Sequence, residues 1–338
     1  MAETPAAHGP TWEIVRYLHP SLLQLNYQLT CTKLGLVAGS FFFFFGTYVT
    51  SAIVASFTST YKSLRIKEKV FWNLAVVRAV FGVFGAIIGL WAIFNKSAMD
   101  NDVVFGTTQT SYFALCVTEG FFIFECSALA VSDVIFNSFS LLLNLHHWLS
   151  LTGYFVVLCV DAGHCFATKG LLLEMSTPFS ALCWTLLKSG RERTFLWKAN
   201  QFLLVHTFHC RNIVEWLLVY ISYQNWTHIW SSMPLSVFLC LYIQLPLVTL
   251  VMTPYWTYKK TEQMFNPVDW NFSRNNKASE PTTRSEINKD PETNGTLTEQ
   301  MFNPVDWNFS RNNKASEPTT RSEINKDPET YGTAKKID

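Results

Sequence analysis

Residues 139–179 read FSLLLNLHHWLSLTGYFVVLCVDAGHCFATKGLLLEMSTPF. Two adjacent histidines, His146 and His147, stand within the first apolar run of this stretch, and Glu174 follows within the second. An ionisable side chain surrounded by hydrocarbon costs several kcal/mol, so it usually faces the interior of a helix bundle, where it is paired or takes part in chemistry. The stretch therefore indicates helices that cross a membrane and enclose polar groups.

The composition of the whole chain agrees with a membrane protein. Hydrophobic residues make up 49% of the 338 residues and charged residues 15%, against about 25% charged residues in soluble proteins. A formal net charge of +1 provides no basic surface for nucleic acid, which we exclude as a partner. The eight cysteines form no CxxC pair, which favours small buried side chains over disulfides or zinc ligands. The N-terminus lacks the pattern of a cleavable signal peptide.

Seven stretches are long and apolar enough to span a membrane, since a span needs about 20 mainly apolar residues. They are 34–57, 70–94, 112–136, 139–160, 166–187, 195–221 and 230–255. The fold class that we predict is all-α, a polytopic membrane protein with a seven-span helical bundle.

The distribution of lysine and arginine predicts the orientation of these spans, because basic residues collect in cytosolic connections. The connections 95–111, 161–166 and 222–229 are poor in basic residues, so we place them in the lumen. The N-terminus is then lumenal and the C-terminus cytosolic. The basic residues lie after the first span, between the fifth and sixth spans and after the seventh: Lys62, Arg65, Lys67, Lys69, Lys188, Arg191, Arg193, Lys198, Lys259 and Lys260.

The chain after residue 260 is a polar tail that contains a repeat. Residues 261–297 return as 298–334 with two substitutions. Because the tail is rich in polar residues and poor in aliphatic ones, we expect 261–338 to be disordered. It ends with Lys335 and Lys336 at the fourth and third positions from the C-terminus. This spacing is typical of a dilysine retrieval signal, which coat proteins read, although a chance polar terminus is the alternative.

Charged side chains recur within the predicted spans, and ion pairs inside the bundle are the simplest explanation. Arg78 has no acid within its own span, so we expect it to meet Glu119, Glu125 or Glu174 across the bundle. Arg211 and Glu215 lie four residues apart on one helical face and can pair locally. The residues that we assign to structural ion pairs are Arg78, Glu119, Glu125 and Glu215.

The histidines differ from these charges, because a neutral imidazole donates and accepts hydrogen bonds and titrates near physiological pH. His146 and His147 lie about 100° apart around a helix, so one can face a cavity while the other supports it. His147 shares its face with Asn144 and Tyr154, and His206 with His209 forms a similar polar stripe. Acid–base or nucleophilic chemistry and hydrogen-bonded core histidines both remain open.

A metal site is the third reading of these histidines, and we disfavour it. Oxygenase-type centres need several HxxxH or HxxHH boxes, and the chain has eight histidines in all. Pro178 is expected to break the fifth helix beside Glu174, where Ser176 and Thr177 can satisfy the freed backbone groups and an interior cavity can form.

Five segments together carry a resemblance to the TLC domain family, which includes ceramide synthases and translocation-associated membrane proteins. They are YKSLRIKEKVFWNLAVVRAVFG (61–82), His146-His147, AGHCFATKGLLLEMSTPF (162–179), HTFHCR (206–211) and TPYWTYKKTEQMFNPVDWNF (253–272). The resemblance implies a lumenal segment 1–33, a first span 34–57, a TLC domain 61–260 with six further spans, and the tail 261–338. It also implies residence in the endoplasmic reticulum and its intermediate compartment, with roles in lipid homeostasis and lysosome biogenesis.

The resemblance further implies acyl transfer, because ceramide synthases use a His-His pair to move an acyl group from acyl-coenzyme A. His146 and His147 match that pair as the catalytic residues, with His147 as base or nucleophile and His146 as its partner. The acidic HDxxD-type element of the family is absent, so a glycerophospho-type acceptor is favoured over a sphingoid base. The substrate-binding residues are then Tyr154, Glu174, His206, His209 and Arg211, with His209 and Arg211 contacting phosphate or an oxyanion. Acyl-coenzyme A is a co-substrate, and no bound cofactor is expected.

A second hypothesis comes from a different class of protein. The terminal lysines suit a non-catalytic cargo receptor that cycles between the endoplasmic reticulum and the Golgi intermediate compartment and exports lysosomal enzymes. Its partners are membrane lipids, coat proteins and lysosomal enzymes in the lumen. The short lumenal connections expose little surface compared with the roughly 800 Å² that each partner buries in a standard protein–protein interface, which counts against this hypothesis.

Overall fold

The computed structural model describes residues 13–192 and 194–267, and this part of the chain is helical throughout. Short helical turns lie at Val15–Leu18, Pro20–Gln24, Ser59–Ser63, Ala98–Asn101 and Trp226–Ser232. No strand occurs in the two described ranges, and the prediction of an all-α bundle is confirmed. The seven long helices are α1 (Thr30–Ala55), α2 (Ile66–Phe94), α3 (Gln109–Phe136), α4 (Leu141–Val160), α5 (His164–Lys188), α6 (Phe195–Gln224) and α7 (Leu235–Phe265). The prediction that the disordered tail begins at residue 261 is wrong for its first residues, because the last helix continues through Thr261 to Phe265. Residues 268–338, with Lys335 and Lys336, lie outside the described residues.

Six of these helices, all but α6, are long and apolar enough to cross a membrane. With 30 residues, α6 is about 45 Å long and exceeds the roughly 30 Å hydrocarbon core, but its charged and histidine residues lower its mean hydropathy. Apolar length therefore supports six of the seven predicted spans. We treat α6 as the seventh because its length suffices and it lies between α5 and α7 in the bundle.

The helices α2 to α7 form a closed ring around a shared interior. Neighbours around the ring are α2 and α3, α3 and α4, α4 and α7, α7 and α6, α6 and α5, and finally α5 and α2. The helix α1 packs outside this ring against α2 and α3. In the most apolar 18-residue window of α1, 11% of the residues are buried, against 67% in α3. The interior that can hold a polar site therefore belongs to the last six helices.

One end of the ring is rich in lysine and arginine, and we name it the basic end. It holds the starts of α2, α4 and α6 and the ends of α3, α5 and α7. The Nζ of Lys188 at the end of α5 donates to Oε1 of Glu68 at the start of α2, at 2.6 Å. At the opposite end, Lys33 pairs with Asp161 at 2.5 Å. These pairs tie neighbouring helices together at both ends, while the assignment of the basic end to the cytosol stays a prediction.

The helix α5 is interrupted in its middle, as Pro178 predicts. An α-helical segment, His164–Gly170, gives way to a 3₁₀ turn at Leu171–Ser176, and the α-helix resumes at Thr177–Lys188. Proline lacks a backbone N–H and clashes with the preceding turn, which explains the change of helix type. The expectation that Ser176 and Thr177 cap the freed backbone groups is wrong, because their hydroxyls contact side chains instead.

Glycine on α2 makes room for this irregular turn. A Cβ atom built on Gly89 would lie 2.3 Å from the backbone nitrogen of Leu172, and one on Gly85 would lie 3.0 Å from the carbonyl oxygen of Leu171. Real Cβ atoms do not approach backbone this closely, so α2 and α5 meet backbone to backbone here. The contact fixes the height and rotation of the turn that carries Glu174.

The helix α7 also changes helix type near its middle. Pro246 lies inside its first α-helical segment, and a π turn at Val248–Met252 precedes the second segment, Thr253–Phe265. Such π turns usually appear as single bulges in α-helices and are frequent at functional sites. The 3₁₀ turn of α5 itself carries Glu174 and Ser176 into the interior, and the π turn of α7 lies before Trp256 and Lys260, which α7 contributes to it.

Candidate functional site

A cavity of about 270 Å³ opens inside the ring, in its half toward the basic end. It is lined by side chains from α2 to α7, and both adjacent histidines of α4 reach it. Polar groups line one part of the wall, and aromatic rings line another. The polar residues are Arg78, Ser140, His146, His147, Glu174, Ser176, Thr177, Ser180, Arg211 and Lys260; the aromatic residues are Phe121, Phe122, Phe208 and Trp256.

The hydrogen bonding of His147 defines its tautomer. Its Nδ1 lies 2.8 Å from the carbonyl oxygen of Leu143, one turn earlier on α4. A carbonyl oxygen only accepts, so Nδ1 carries the proton and the lone pair of the neutral ring is on Nε2. That nitrogen lies 3.8 Å from Oε1 of Glu125 on α3. The ring thus presents a basic nitrogen beside a carboxylate that can stabilise a positive charge on it.

The carboxylate of Glu125 is held by Arg78 of α2. Nε of Arg78 donates to Oε1 of Glu125 at 2.7 Å, and Nη2 donates to the same oxygen. The Glu125 side chain is fully buried, and the Arg78 side chain is 15% exposed. Of the three acids that the sequence offers to Arg78, the structure selects Glu125. The Glu125 carboxylate thus connects α2, α3 and α4 at one point.

A second carboxylate stands beside His146. Oε1 of Glu174, in the 3₁₀ turn of α5, lies 4.0 Å from Nε2 of His146. The other oxygen, Oε2, accepts a hydrogen bond from Oγ1 of Thr177 at 2.7 Å, which fixes the carboxylate. The Nδ1 atom of His146 is buried and has no hydrogen-bond partner. Its ring meets Trp256 edge to face, with the centroids 5.7 Å apart. Each histidine therefore has its own glutamate.

Arg211 of α6 brings a cation to the cavity that makes no direct ion pair in the described chain, although the carboxylates of Glu174 and Glu215 act on its charge from a greater distance. Its Nη1 donates to Oγ of Ser176 at 3.2 Å, and its buried Nε has no partner. The guanidinium lies over the rings of Phe208 and Trp256, at 5.2 and 5.7 Å from the centroids. Its remaining N–H groups and its charge are available to an anionic group in the cavity.

The expected local pair between Arg211 and Glu215 does not form. No carboxylate lies within 4.0 Å of Arg211 among residues 13–192 and 194–267. Instead, Oε1 of Glu215 accepts from Oγ1 of Thr253 at 2.5 Å, directly after the π turn of α7. Glu119 on α3 is likewise buried, and its Oε2 has no partner. Of the four acids and bases assigned to ion pairs, only Arg78 and Glu125 meet.

Two of the predicted substrate-binding residues face away from the cavity. His206 and His209 are exposed on the outer surface of α6. Nδ1 of His206 contacts the carbonyl oxygen of Phe202 at 2.7 Å, and the two rings lie 3.9 Å apart. The reason is helical geometry: His209 and Arg211 are two residues apart, about 200° around the helix. Both histidines are therefore outside the site that Arg211 enters.

Tyr154, a third predicted substrate-binding residue, does not line the cavity itself but contacts a residue that does. Its ring stacks on Phe122, with centroids 5.6 Å apart and planes at 16°, and Phe122 lines the cavity. On its other side Tyr154 lines a smaller apolar cavity of about 110 Å³ between α4, α5 and α7. The aromatic pair thus forms the wall between the two cavities.

The sequence analysis missed Trp256 and Lys260, which α7 contributes to the cavity. Both residues follow the predicted span 230–255, which contains no histidine or acid, and the π turn within α7 changes the helical face on which they lie. The motif TPYWTYKK, with aromatic and basic residues at the end of a span, is the signal that could have indicated them. In the described ranges, no group of three or more His, Cys, Asp or Glu side chains is placed to hold a metal ion.

Comparison with known proteins relates the chain to membrane proteins. The family model described as TLC domain matches residues 71–261, which covers most of the ring α2 to α7. Protein CLN8 from Homo sapiens is 38% identical over 295 residues, which cover 87% of this chain and 97% of the relative. Protein CLN8 from Canis lupus familiaris is 39% identical over 273 residues, or 80% of this chain and 92% of the relative. TLC domain-containing protein 4 A from Dictyostelium discoideum is 22% identical over 237 residues, which cover 69% of this chain and 88% of the relative. No solved structure gives a significant match.

Proposed function

The chain belongs to the TLC domain family of membrane proteins, and from that premise we propose that it transfers an acyl group from acyl-coenzyme A to a lipid acceptor inside the membrane. One observation carries the proposal: a closed ring of helices encloses a cavity in which His146 and His147 each face a glutamate. A catalytic base needs a nitrogen that is free to react and an acid that stabilises its protonated form. Nε2 of His147, beside Glu125, meets both requirements.

The chemistry starts at Nε2 of His147. As the acceptor hydroxyl oxygen attacks the thioester carbonyl carbon, Nε2 takes the hydroxyl proton and Glu125 stabilises the resulting imidazolium. The tetrahedral intermediate then expels the coenzyme A thiolate, which receives the proton from His147. One C–O bond forms and one C–S bond breaks, and the ring returns to its neutral form. In the alternative route, Nε2 attacks the carbonyl carbon first and expels the coenzyme A thiolate, which leaves an acyl-imidazolium. The acceptor hydroxyl then attacks the acyl carbon, the C–N bond to Nε2 breaks, and the hydroxyl proton passes to the thiolate.

His146 has a supporting role in either route. Its ring packs against His147 with the centroids 5.2 Å apart, and Oε1 of Glu174 lies 4.0 Å from its Nε2, where the carboxylate favours a protonated ring. The unpartnered Nδ1 of His146 is then available to the acceptor or to the leaving group. This arrangement assigns the two histidines different positions toward the reacting atoms, as their angular separation on α4 predicts.

Arg211 favours an acceptor with a phosphate group. A buried guanidinium without a carboxylate partner is costly unless an anion pairs with it. A glycerophospho-type lipid supplies that anion, whereas a sphingoid base brings an amine of the same charge as the arginine. The cavity volume of about 270 Å³ lies at the lower limit of typical ligand pockets, which begin near roughly 300 Å³. It therefore suits the head group and the reacting carbonyl, with the acyl chains and the coenzyme outside it.

Lys260 lines the cavity at the basic end of the ring. The phosphates of coenzyme A are water-soluble anions, and this end of the ring concentrates positive charge. We place the coenzyme there, which agrees with the cytosolic orientation that the basic residues predict.

The test is acyl transfer by the purified full-length protein in lipid nanodiscs, given acyl-coenzyme A with lysophospholipids or with sphingosine. We expect turnover with a lysophospholipid, and His147→Asn should abolish it because the asparagine amide stands where Nδ1 donates to Leu143 but supplies no basic nitrogen. His228→Ala, outside the ring, is the matched control and should retain activity. Mass spectrometry of the protein with acyl-coenzyme A alone distinguishes the base from the nucleophile route. If neither acceptor class is acylated by a folded preparation, the proposal fails.

We also propose residence in the endoplasmic reticulum with cycling to the intermediate compartment, on the basis of the terminal lysines. The same lysines motivate the alternative function as an export receptor for lysosomal enzymes. Replacement of Lys335 and Lys336 by alanine should move a tagged protein forward along the secretory route, as seen by imaging. An unchanged distribution would remove this argument, without bearing on the acyltransferase.

A further inference from the structure

The guanidinium of Arg78 has a second edge that its partner does not use. Arginine carries five N–H donors, and Nε and Nη2 each donate once to Oε1 of Glu125. The other three donors, on Nη1 and Nη2, make no hydrogen bond within residues 13–192 and 194–267, yet Nη1 is not enclosed by protein atoms. Because Arg78 lines the cavity and its side chain is 15% exposed, this free edge is the part of the guanidinium that is open to a substrate.

Two contacts hold the guanidinium of Arg78 in place. The hydrogen bonds from Nε and Nη2 to one carboxylate oxygen fix its orientation. Its Cζ atom also lies 5.4 Å from the centroid of the Phe71 ring, about two turns earlier on α2. Donors stabilise a charge that develops during a reaction best when they are held in position beforehand, since no reorganisation is then required. The free edge of Arg78 meets this condition.

The carboxylate of Glu125 also places this guanidinium close to the basic nitrogen. Its Oε1 lies 2.7 Å from Nε of Arg78 and 3.8 Å from Nε2 of His147. The two nitrogens are therefore at most 6.5 Å apart, the sum of these distances. Nη2 of Arg78, which still has a free N–H group, contacts the same oxygen and lies within that limit as well. A hydroxyl oxygen about 3 Å from Nε2 and a carbonyl oxygen about 3 Å from the guanidinium fit between the two groups.

The other two cations that line the cavity are less well placed for this role. Arg211 donates to Oγ of Ser176 at 3.2 Å, and Nζ of Lys260 donates to Oε1 of Gln263 at 3.2 Å. In the part of the chain that the structure describes, neither cation shares a carboxylate with His147. The reacting carbonyl must lie beside His147, so the cation that is joined to this histidine through a common oxygen is the best donor to it.

We propose, on the premise of the acyl transfer proposed above, that Arg78 is a catalytic residue that stabilises the oxyanion. When the acceptor oxygen or Nε2 of His147 bonds to the thioester carbon, the π electrons of the C=O bond move onto the carbonyl oxygen. The free N–H groups of Arg78 donate hydrogen bonds to this oxyanion and keep their protons. The electrons then return to form the C=O bond again as the C–S bond breaks and the thiolate leaves.

The ion pair of Arg78 and Glu125 then acts as a dipole that is formed before the reaction. In the resting site the two charges neutralise each other, which makes their burial tolerable. In the tetrahedral intermediate, the oxyanion lies beside the guanidinium of Arg78, and the positive ring of His147 lies beside the carboxylate of Glu125. Each new charge therefore forms next to a fixed charge of opposite sign. Arginine suits this position because its planar group has donors on two edges, whereas a lysine ammonium is a point charge.

The experiment compares an acyl-coenzyme A thioester with its dithioester analogue, in which sulfur replaces the carbonyl oxygen. The full-length protein in lipid nanodiscs acylates a lysophospholipid with either donor substrate. Sulfur is a weak hydrogen-bond acceptor, so a donor that contacts the carbonyl oxygen favours the thioester. Arg78→Lys keeps a positive charge beside Glu125 but lacks the second edge. We expect kcat with the thioester to fall about 100-fold or more, with little change in KM. The preference for the thioester over the dithioester should fall roughly tenfold.

Arg65→Lys is the matched control. Arg65 lies directly before α2 and also pairs with a glutamate, Glu68, at 3.4 Å, but it does not line the cavity. The same exchange at this position should leave both kcat and the preference for the thioester unchanged.

A purely structural role of Arg78 gives a different result. It would lower kcat with the thioester and with the dithioester by the same factor, and this outcome overturns the proposal, as does an unchanged kcat in Arg78→Lys. If thermal unfolding shows that Arg78→Lys is not folded, the double variant Arg78→Met, Glu125→Leu takes its place, since it leaves no unpaired charge. It should show the same loss of preference for the thioester. Turnover by the unaltered protein supports the acyl transfer whatever the variants show, whereas no turnover with any acceptor ends both proposals.

Discussion

Replacing either member of the buried Arg78 and Glu125 pair should destabilise the protein strongly, whereas replacing both should not. In Arg78→Met, the fully buried carboxylate of Glu125 loses both hydrogen bonds and keeps only His147, whose Nε2 is 3.8 Å away. In Glu125→Leu, the guanidinium of Arg78, 15% exposed, loses its only ion-pair partner in the described ranges. Breaking a buried pair from one side typically costs about 3–5 kcal/mol, because a charge is left without compensation.

The double variant Arg78→Met, Glu125→Leu removes both charges and fills the space with side chains of similar size. Such exchanges are often neutral in stability. We therefore expect the double variant to lose less stability than either single variant, which corresponds to a coupling energy of more than about 3 kcal/mol between the two positions. Thermal unfolding of the purified protein in one detergent measures all four members of the cycle. Lys259→Met, which removes the surface pair with Glu262 at 3.5 Å, is the control and should change stability by less than about 1 kcal/mol.

The same cycle separates folding from chemistry. The double variant lacks the carboxylate beside Nε2 of His147, so acyl transfer should stay low although the fold is restored. Additive losses in the double variant would refute the reasoning about the buried pair. Full activity in a stable double variant would refute the role of Glu125 beside His147.

Three further predictions follow from other parts of the structure. Gly89→Ala should cost about 1–3 kcal/mol or more in thermal unfolding because its Cβ would meet the backbone of Leu172, whereas Gly35→Ala, with nothing within 4 Å, should be neutral or stabilising. Arg211→Gln should raise the KM for a lysophospholipid acceptor roughly tenfold or more in steady-state kinetics, because a charged hydrogen bond to the phosphate is lost. An unchanged KM would show that Arg211 does not contact the phosphate. At Asp102, outside the spans, burial would raise the pKa, but hydrogen bonds from Phe105, His228 and Val104 outweigh it and hold the pKa below its usual value. The Asp102 carboxylate therefore contributes to stability above the ordinary pKa of an aspartate, and this contribution is lost as the pH falls through the lowered pKa of the folded protein. In acid unfolding curves, His228→Ala should show a smaller loss of stability over this pH range.

Much of the fold could be predicted from the sequence, because spans in a membrane depend on composition over about 20 residues. The break in α5 also follows from one residue, Pro178, since proline changes helix type wherever it occurs in a helix interior. The ring itself could not be predicted, because its closure depends on contacts between distant helices such as α4 with α7 and α5 with α2. No local pattern encodes those neighbours.

The candidate site shows the same division. The histidine pair is visible in the sequence because two adjacent ionisable rings are unusual in an apolar run. The sequence left three acids as possible partners of Arg78, and the pairing with Glu125 depends on how α2 packs against α3. The placement of His209 in the site could have been rejected from the sequence, since it stands about 200° from Arg211 on one helix. Trp256 could not be placed in this way, because the π turn before it alters the helical count.

That π turn has a consequence for how a site of this kind can change over evolution. A π turn holds one residue more than the α-helical turn it replaces, so the loss of a single residue from Val248–Met252 would restore a continuous α-helix. Because the π turn accommodates its extra residue within a single turn, the side chains beyond it would keep nearly the same direction, and Trp256 and Lys260 would stay on the cavity wall. The π turn thus allows a descendant to gain or lose one residue in the middle of α7 while both halves of the helix keep their faces toward the chamber.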